Sequence, residues 1–494
     1  MKNIKITLSL LVLISLTSCD DFLSEIPDNR TQIDTPEKIS ELLVTAYPNR
    51  TYMSIAETMS DNVFDSEMQE ANTDNTQSYN WEMQTQIGID TESAFWNASY
   101  EAIAAANQAL VSIEELGNPA SLNPQKGEAL VARAYSHFML VQFWSNRYNP
   151  ATAATDLGIP YVTKPEGALL EKYKRNTVKE VFDFIEQDLT EGLKYITSDY
   201  KEVKYHFNVE AAKAFASRFY LIKGDWDKVL EISKGLGSEP ANLRDYAAFN
   251  ATAFADRPVE FSRVEQPTNL LVDYPNSIWG RSYSLRFTLA GNRSDEILGP
   301  ETNIWGKRWL IIPSGQYRGG VTVLVPKFYE YFKYTNVTAG IGEPYTGTVL
   351  LSNDEFFLNR IEAHVMKNQI DEANAELEYF LATRTSGYNP ATDVLTEEDI
   401  VDFYPAVANE FTPYYALTPV QTSYIKAIAE ARRREFIHEG LRWFDIKRFN
   451  LVVEHNTYQF GQIIRNNVLV KDDKRRALQI PQRASDLGIE KNPR

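Results

Sequence analysis

Cysteine is nearly absent: Cys19 is the single one in 494 residues. No intrachain disulfide can form, so the fold has to rest on its core. Histidine is sparse too, and the five, at 137, 206, 364, 438 and 455, show no metal-ligand spacing. His438-Glu439 lacks the second histidine of a zinc-protease helix, and no phosphate-binding glycine loop, dinucleotide fingerprint or nucleophile elbow is present. Nothing therefore calls for a cofactor. The run Asn72-Thr73-Asp74-Asn75 is rich in oxygen but lacks the spacing of a calcium loop. Basic charge is in deficit, 50 Lys and Arg against 67 Asp and Glu, a formal net charge of -17. Such a surface repels phosphate backbones and excludes nucleic acid as a natural partner. No apolar run reaches the roughly 20 residues of a membrane span.

What is present begins at the N-terminus. Lys2 and Lys5 precede an apolar stretch from Ile6 to Leu16, and Leu16-Thr17-Ser18-Cys19 closes it. That is the layout of an export signal. A cysteine directly after small residues is what lipoprotein processing needs, because its thiolate accepts the lipid; the bland alternative is an ordinary signal with a chance thiol. Cys19 is thus expected to be a lipid anchor, after a signal peptide over residues 1–18.

Most of the remaining chain reads as helix. Thr35-Pro36-Glu37 is a helix start, with a capping residue before a proline at the first helical position. Residues 60–89 are polar, rich in Asn, Asp, Gln and Thr, and read as a long loop carrying Trp81. Helical spacing returns with Phe95, Trp96, Tyr100 and Ile103, then from about Gln125 to Trp144, from Val178 to Ile196, and from Val209 to Gly224. Lys223-Gly224-Asp225-Trp226 followed by a second helix resembles the turn of a tetratricopeptide hairpin, and Phe356–Val365 with Ile370–Leu381 looks like another. Between about 241 and 348 helical periodicity fades, and Gly, Pro, Asn and aromatic residues accumulate. The expected architecture is mainly α: a scaffold of tetratricopeptide-like hairpins carrying an irregular, loop-rich, partly β insertion.

The densest constellation is Ala431-Arg432-Arg433-Arg434-Glu435-Phe436-Ile437-His438-Glu439-Gly440-Leu441-Arg442-Trp443-Phe444-Asp445-Ile446-Lys447-Arg448. Opposite charges recur three and four apart, as on a helix laced by ion pairs. Phe436, Trp443 and Phe444 would anchor it, and Gly440 would allow a bend or a close backbone approach. An anion site or catalytic cluster is the competing reading.

This segment resembles the C-terminal signature of the SusD/RagB family of surface lipoproteins, Arg-Arg-x-Glu-Phe/Leu-x-x-Glu-Gly-x-Arg-Trp-Phe-Asp-Leu-x-Arg, with Ile446 in place of the usual leucine. Cys19-Asp20-Asp21-Phe22-Leu23, Phe95-Trp96 with Tyr100, Ile103 and Asn107, the Gly224-Asp225-Trp226 turn and Ile480-Pro481 also fit, while the middle third matches poorly. The resemblance implies a single domain over 35–494 behind a lipidated tether at 19–34, with a ligand-binding insertion at about 241–348. It implies a non-enzymatic protein, lipid-anchored on the extracellular face of the outer membrane. Such a protein captures a glycan, or in some branches a peptide, and passes it to a SusC-like TonB-dependent transporter. A glycoside hydrolase on the same scaffold is the reading from another class.

Candidate ligand residues follow from region and residue type. Trp81 stands in the polar loop, where stacking on a ligand and local packing compete. Trp96, at helical spacing, is a core residue. Trp279, Arg281, Tyr283, Trp305, Trp309 and Tyr317 lie in the insertion. Asp61 and Asn62 open the polar loop, as sugar ligands or as turn residues.

Overall fold

The computed structural model describes residues 33–69, 72–166, 171–299, 302–310, 315–317 and 321–494. The expected export signal, Cys19 and the expected tether up to residue 32 lie outside them. Among the described residues, the scaffold is built by nine helices: α1 (Glu92–Glu115), α2 (Asn123–Trp144), α3 (Val178–Gly192), α4 (Val209–Lys223), α5 (Trp226–Ser233), α6 (Asn353–Met366), α7 (Ile370–Thr383), α8 (Pro419–Glu435) and α9 (Leu441–Phe449). Sequence neighbours pack on each other, α1 on α2, α2 on α3, α4 on α5 and α6 on α7, while α6 also meets α4, α5 and α8.

Local chemistry sets the boundaries. Thr177 and Glu180 form a capping box at the start of α3, and Thr418 and Gln421 do the same for α8. Gly224, at φ +76°, ends α4 in the left-handed region, and Asp225 caps α5. A side chain at 224 would also collide with the Tyr414 hydroxyl, which donates to the Lys223 carbonyl at 2.6 Å. From Gly127 onward α2 is buried on every side, as a central helix must be. Its small residues Ala129, Ala132 and Ala134 let neighbouring helices approach, and Phe138, Phe143 and Trp144 fill the largest spaces.

The β structure is confined to two-stranded antiparallel pairs among the described residues. Asn269–Asp273 pairs with Thr348–Ser352, Gly315–Tyr317 with Thr322–Leu324, and Glu330–Asn336 with Ile341–Thr346. Val453–Gln459 pairs with Gln462–Leu469, and the short pair Phe64–Asp65 with Phe287–Thr288 joins the polar segment to the insertion. The mainly helical scaffold with an irregular, partly β insertion is therefore as expected. The polar segment 60–89 differs from the expected loop. It contains a helix, Thr73–Tyr79, whose cap Asn72 accepts from the Asn75 N–H at 3.0 Å. Its polar composition hid a helix that buries only Asn75, Ser78 and Tyr79.

The Arg-rich segment is a buried charge network. Asp445 accepts from Arg432 at 3.0 Å and from Arg448 at 2.8 Å, and Arg448 also holds Glu362. Arg384 joins Glu435 to Asp354, and Lys327 donates to the Glu439 carboxylate and the Glu435 carbonyl, each at 2.6 Å. Most partners come from distant parts of the chain. The pairs at helical spacing, Arg434–Glu430 and Arg448–Asp445, are the minority. Gly440, at φ +76°, provides both the bend and the approach: a Cβ there would stand 2.9 Å from the Ala56 Cβ. Phe436, Trp443 and Phe444 are buried, as anchors should be.

Candidate ligand cleft

A cleft of about 530 Å³ opens between the polar segment and the start of the insertion. Ser54, Asn72, Asp74, Ser78, Gln84 and Asp90 come from the first wall, and Trp279, Arg281, Ser282 and Ser284 from the second. Two sets of contacts hold the walls together, and a third ties the second wall to the Arg-rich segment. The Ile278 N–H donates to Asp90 Oδ2 at 3.0 Å. The Asn75 amide donates to the Phe287 carbonyl and accepts from the Phe287 N–H, both at 3.0 Å. The Trp279 Nε1–H donates to the His438 carbonyl at 2.9 Å. The Arg-rich segment thus sets one side of the cleft. His438 itself sits at φ +67°, and burial together with Lys327 pushes its imidazole down to about 3, so it is neutral.

Two cleft carboxyls hold an oxygen buried without a partner, Asp74 Oδ1 and Asp90 Oδ1. Burial pushes Asp90 up to about 6 against the Ser277 hydroxyl and the Ile278 N–H, and it raises Asp74 against the Gln86 N–H. An unpaired buried acceptor costs about 1–3 kcal/mol, so it is best explained by a donor that arrives with a ligand. With the hydroxyls of Ser54, Ser78, Ser282 and Ser284 nearby, the cleft suits a partner dense in hydroxyl donors and acceptors. Among the described residues, no group of three or more His, Cys, Asp or Glu is placed to hold a metal ion.

Of the residues singled out from sequence, Trp279 and Arg281 line this cleft. Trp279 is only 3% exposed, so it supplies a buried wall. Arg281 is exposed and paired through two hydrogen bonds with Glu330, one of them 2.7 Å. Trp81 is a packing residue. It is 3% exposed, donates to the Met59 carbonyl at 3.0 Å, stacks on His455 at 4.4 Å, and has the Arg475 guanidinium over its ring. Asp61 and Asn62 are absorbed by the arginine network. Asp61 takes two 2.8 Å bonds from Arg442, and Asn62 accepts from Arg433 and donates to Glu57. Burial alone would raise the Asp61 carboxyl, but Arg442 and Arg433 hold it well below the usual range. Trp305 packs against Tyr388 and the core. Trp309 lies under Arg434 beside a separate cavity of about 290 Å³. Tyr283 is half-buried, and its carbonyl accepts from Thr322. The Tyr317 side chain lies outside the described residues. The four tryptophans weighed as stacking candidates, Trp81, Trp279, Trp305 and Trp309, are thus dispersed.

A group of exposed aromatics lies elsewhere, on the hairpin Glu330–Asn336/Ile341–Thr346. Phe332 is 45% and Tyr334 56% exposed, with their rings 5.0 Å apart. Alternation puts Glu330, Phe332 and Tyr334 on one face of the strand, and Glu330 is the partner of Arg281 at the cleft. The signal was in the sequence as Tyr329-Glu-Tyr331-Phe332-Lys-Tyr334, an aromatic run at strand spacing.

The helical-repeat scaffold with a polar cleft under an irregular insertion is a fold shared with solved SusD superfamily structures. Residues 21–221 match the SusD-like_3 family model, described as starch-binding associating with outer membrane. A SusD superfamily protein from Bacteroides thetaiotaomicron superposes with a TM-score of 0.68 at 19% identity, over 93% of this chain and 100% of that one. A SusD superfamily protein from Bacteroides vulgatus gives 0.64 at 19%, over 92% and 97%. A SusD-like carbohydrate binding protein from the same species gives 0.61 at 16%, over 92% and 96%. No curated protein matches the chain. Family model and fold agree: residues 21–221 are similar to the SusD-like_3 family, and the chain shares the fold of the SusD superfamily structures over more than nine-tenths of its length.

Proposed function

We propose that this protein captures a neutral glycan at the cleft between residues 54–91 and 278–285 and does no chemistry on it. The observation that carries the reading is the pair of orphaned acceptors, Asp74 Oδ1 and Asp90 Oδ1, in a cleft otherwise lined by hydroxyl and amide groups. The rings of Phe332 and Tyr334 form the adjoining stacking surface, since apolar sugar faces suit aromatic rings. Support also comes from the starch-binding description of the matching family and from the carbohydrate-binding relative. On this reading residues 1–18 are removed and Cys19 carries the lipid, which holds the body on the outer face of the outer membrane. The body there serves a SusC-like TonB-dependent transporter as its capture subunit. Several acyl chains hold stably where one is marginal, at about 0.8 kcal/mol per buried methylene.

The test is calorimetry of the soluble body against oligosaccharides and oligopeptides, with Arg281→Ala and Phe332→Ala as variants. Binding of at least one neutral oligosaccharide, weakened in both variants, is expected. Binding of peptides and of no glycan would overturn the glycan reading, and release of reducing sugar by purified protein would overturn the non-enzymatic one.

A further inference from the structure

A second cavity, of about 690 Å³, shares Gln84 and the segment around it with the ligand cleft but takes its other walls from α1, residues 160–166 and 171–173, and the C-terminal end. Trp96 and Tyr100 of α1, Val162, and Leu487 and Ile489 near the C-terminus give it apolar walls. Glu92, the first residue of α1, lines it. The backbone N–H of Glu92 donates to Gln84 Oε1 at 2.7 Å, which fixes the residue at the boundary between the two cavities. Its side chain is 3% exposed, and Oε1 has no hydrogen-bond partner.

A carboxyl in that position is expensive unless something reaches it. An alkyl ligand would leave Oε1 orphaned. An anion would meet Glu92 together with Glu166 and Glu171, against only Lys164 and Arg483 on the cavity wall. An ammonium brings three donors and the compensating charge, and the rings of Trp96 and Tyr100 favour a cation near their faces. We propose that this cavity binds a primary ammonium group carried on an apolar body, with Glu92 as its counter-ion. It is a site distinct from the glycan cleft.

The empty site has a marked titration. Burial pushes Glu92 up to about 8; the Gln84 N–H and Arg494 pull it down, and Asp74 pushes it up. The carboxyl is therefore mostly protonated at neutral pH and must release its proton to pair with an ammonium. Affinity then rises about tenfold per pH unit below about pH 8 and levels above it.

The experiment is calorimetry of the full mature chain with 2-phenylethylammonium and, as the neutral control, 2-phenylethanol, from about pH 6 to about pH 8.5. The ammonium should bind about tenfold more tightly than the alcohol at the upper end. Protons should be released on binding near neutrality. Glu92→Gln should abolish both the preference and the pH slope without lowering Tm. Ala104→Trp, at an exposed position on the cavity wall, should block both probes. Arg281→Ala, in the glycan cleft, should change neither. Equal affinity for the two probes, a flat pH profile, or no binding of the ammonium to folded wild-type protein would overturn the assignment.

Discussion

Two polar regions of this chain look alike in sequence and behave oppositely in the structure. The segment from Arg432 to Arg448 and the cleft around Asp74 and Asp90 both crowd charged and amide side chains together. In the first, the charges are matched: Arg432 and Arg448 share Asp445, Arg442 and Arg433 meet Asp61 and Asn62, and Lys327 meets Glu439. In the second, carboxylate oxygens stay unpaired and Arg281 stays exposed. Density of polar residues therefore does not separate structure from function here. Satisfaction does. A network whose guanidinium and carboxylate groups are paired specifies the fold, even with His438 Nε2 and Trp443 Nε1 unpartnered inside it. Buried carboxylate oxygens left open at a cleft ask for a ligand.

The hardest test of that contrast is to open the closed network. Asp445→Ala leaves two buried guanidinium groups without their shared acceptor. Removing one partner of a buried pair costs about 3–5 kcal/mol, measurable by denaturant unfolding. The acid limb tests the same group. Burial alone would raise the Asp445 carboxyl, but Arg432, Arg448 and Arg442 outweigh it and hold it low. Its stabilisation is present above about pH 4, the unfolded value, and is lost as pH falls through the folded value. The variant should therefore show a flatter acid limb than wild type. An unchanged midpoint in Asp445→Ala would remove the distinction between the two regions.

Trp81→Ala comes next, at about 3 kcal/mol, the lower end for truncating a buried tryptophan, because the half-buried Arg475 can settle into part of the space. Glycan binding by the folded variant should be unchanged. Loss of binding at unaltered Tm would move Trp81 back among the ligand residues.

Trp81 also shows what sequence could and could not disclose. Its polar neighbours left ligand stacking and local packing both open, and its ring is covered by His455 and Arg475 from the far end of the chain. Local signals were legible: the cap at Thr35, the turn at Gly224, the bend at Gly440, and the change of character after residue 241. Long-range pairing was not, because opposite charges at helical spacing predict neighbours such as Glu430 for Arg434 but cannot predict Glu362 for Arg448. The cleft was half legible for the same reason. Residue type pointed to Trp279 and Arg281, but Asp74 and Asp90 become candidates only when their partners can be counted.

Asp90→Asn probes the open region with a smaller effect. The folded carboxyl is raised to about 6 by burial. Its favourable contribution is thus fully present below the unfolded value and is lost as pH rises through about 6. Across that range the Asn variant should gain stability relative to wild type, read as a difference in Tm between acidic and neutral buffers. A constant difference would show that the acceptor already has a partner in solution.

The smallest effect on stability belongs to the hairpin. Phe332 and Tyr334 are exposed, and surface changes away from special features stay within about 0.5 kcal/mol, so replacing both with serine should leave Tm essentially unchanged. Their predicted role lies in affinity. Loss of two ring contacts, each worth about 0.5–1.5 kcal/mol, should weaken glycan binding by roughly five- to a hundredfold, while Asp90→Asn alters its pH dependence instead. The two effects should be close to additive, because the rings and the carboxyl contact different parts of the ligand. If the serine pair binds as tightly as wild type, the cleft works alone and the exposed rings belong to another surface. If it unfolds, the hairpin belongs with the closed network, and the division between paired and open polar regions fails where the two meet, at Arg281 and Glu330.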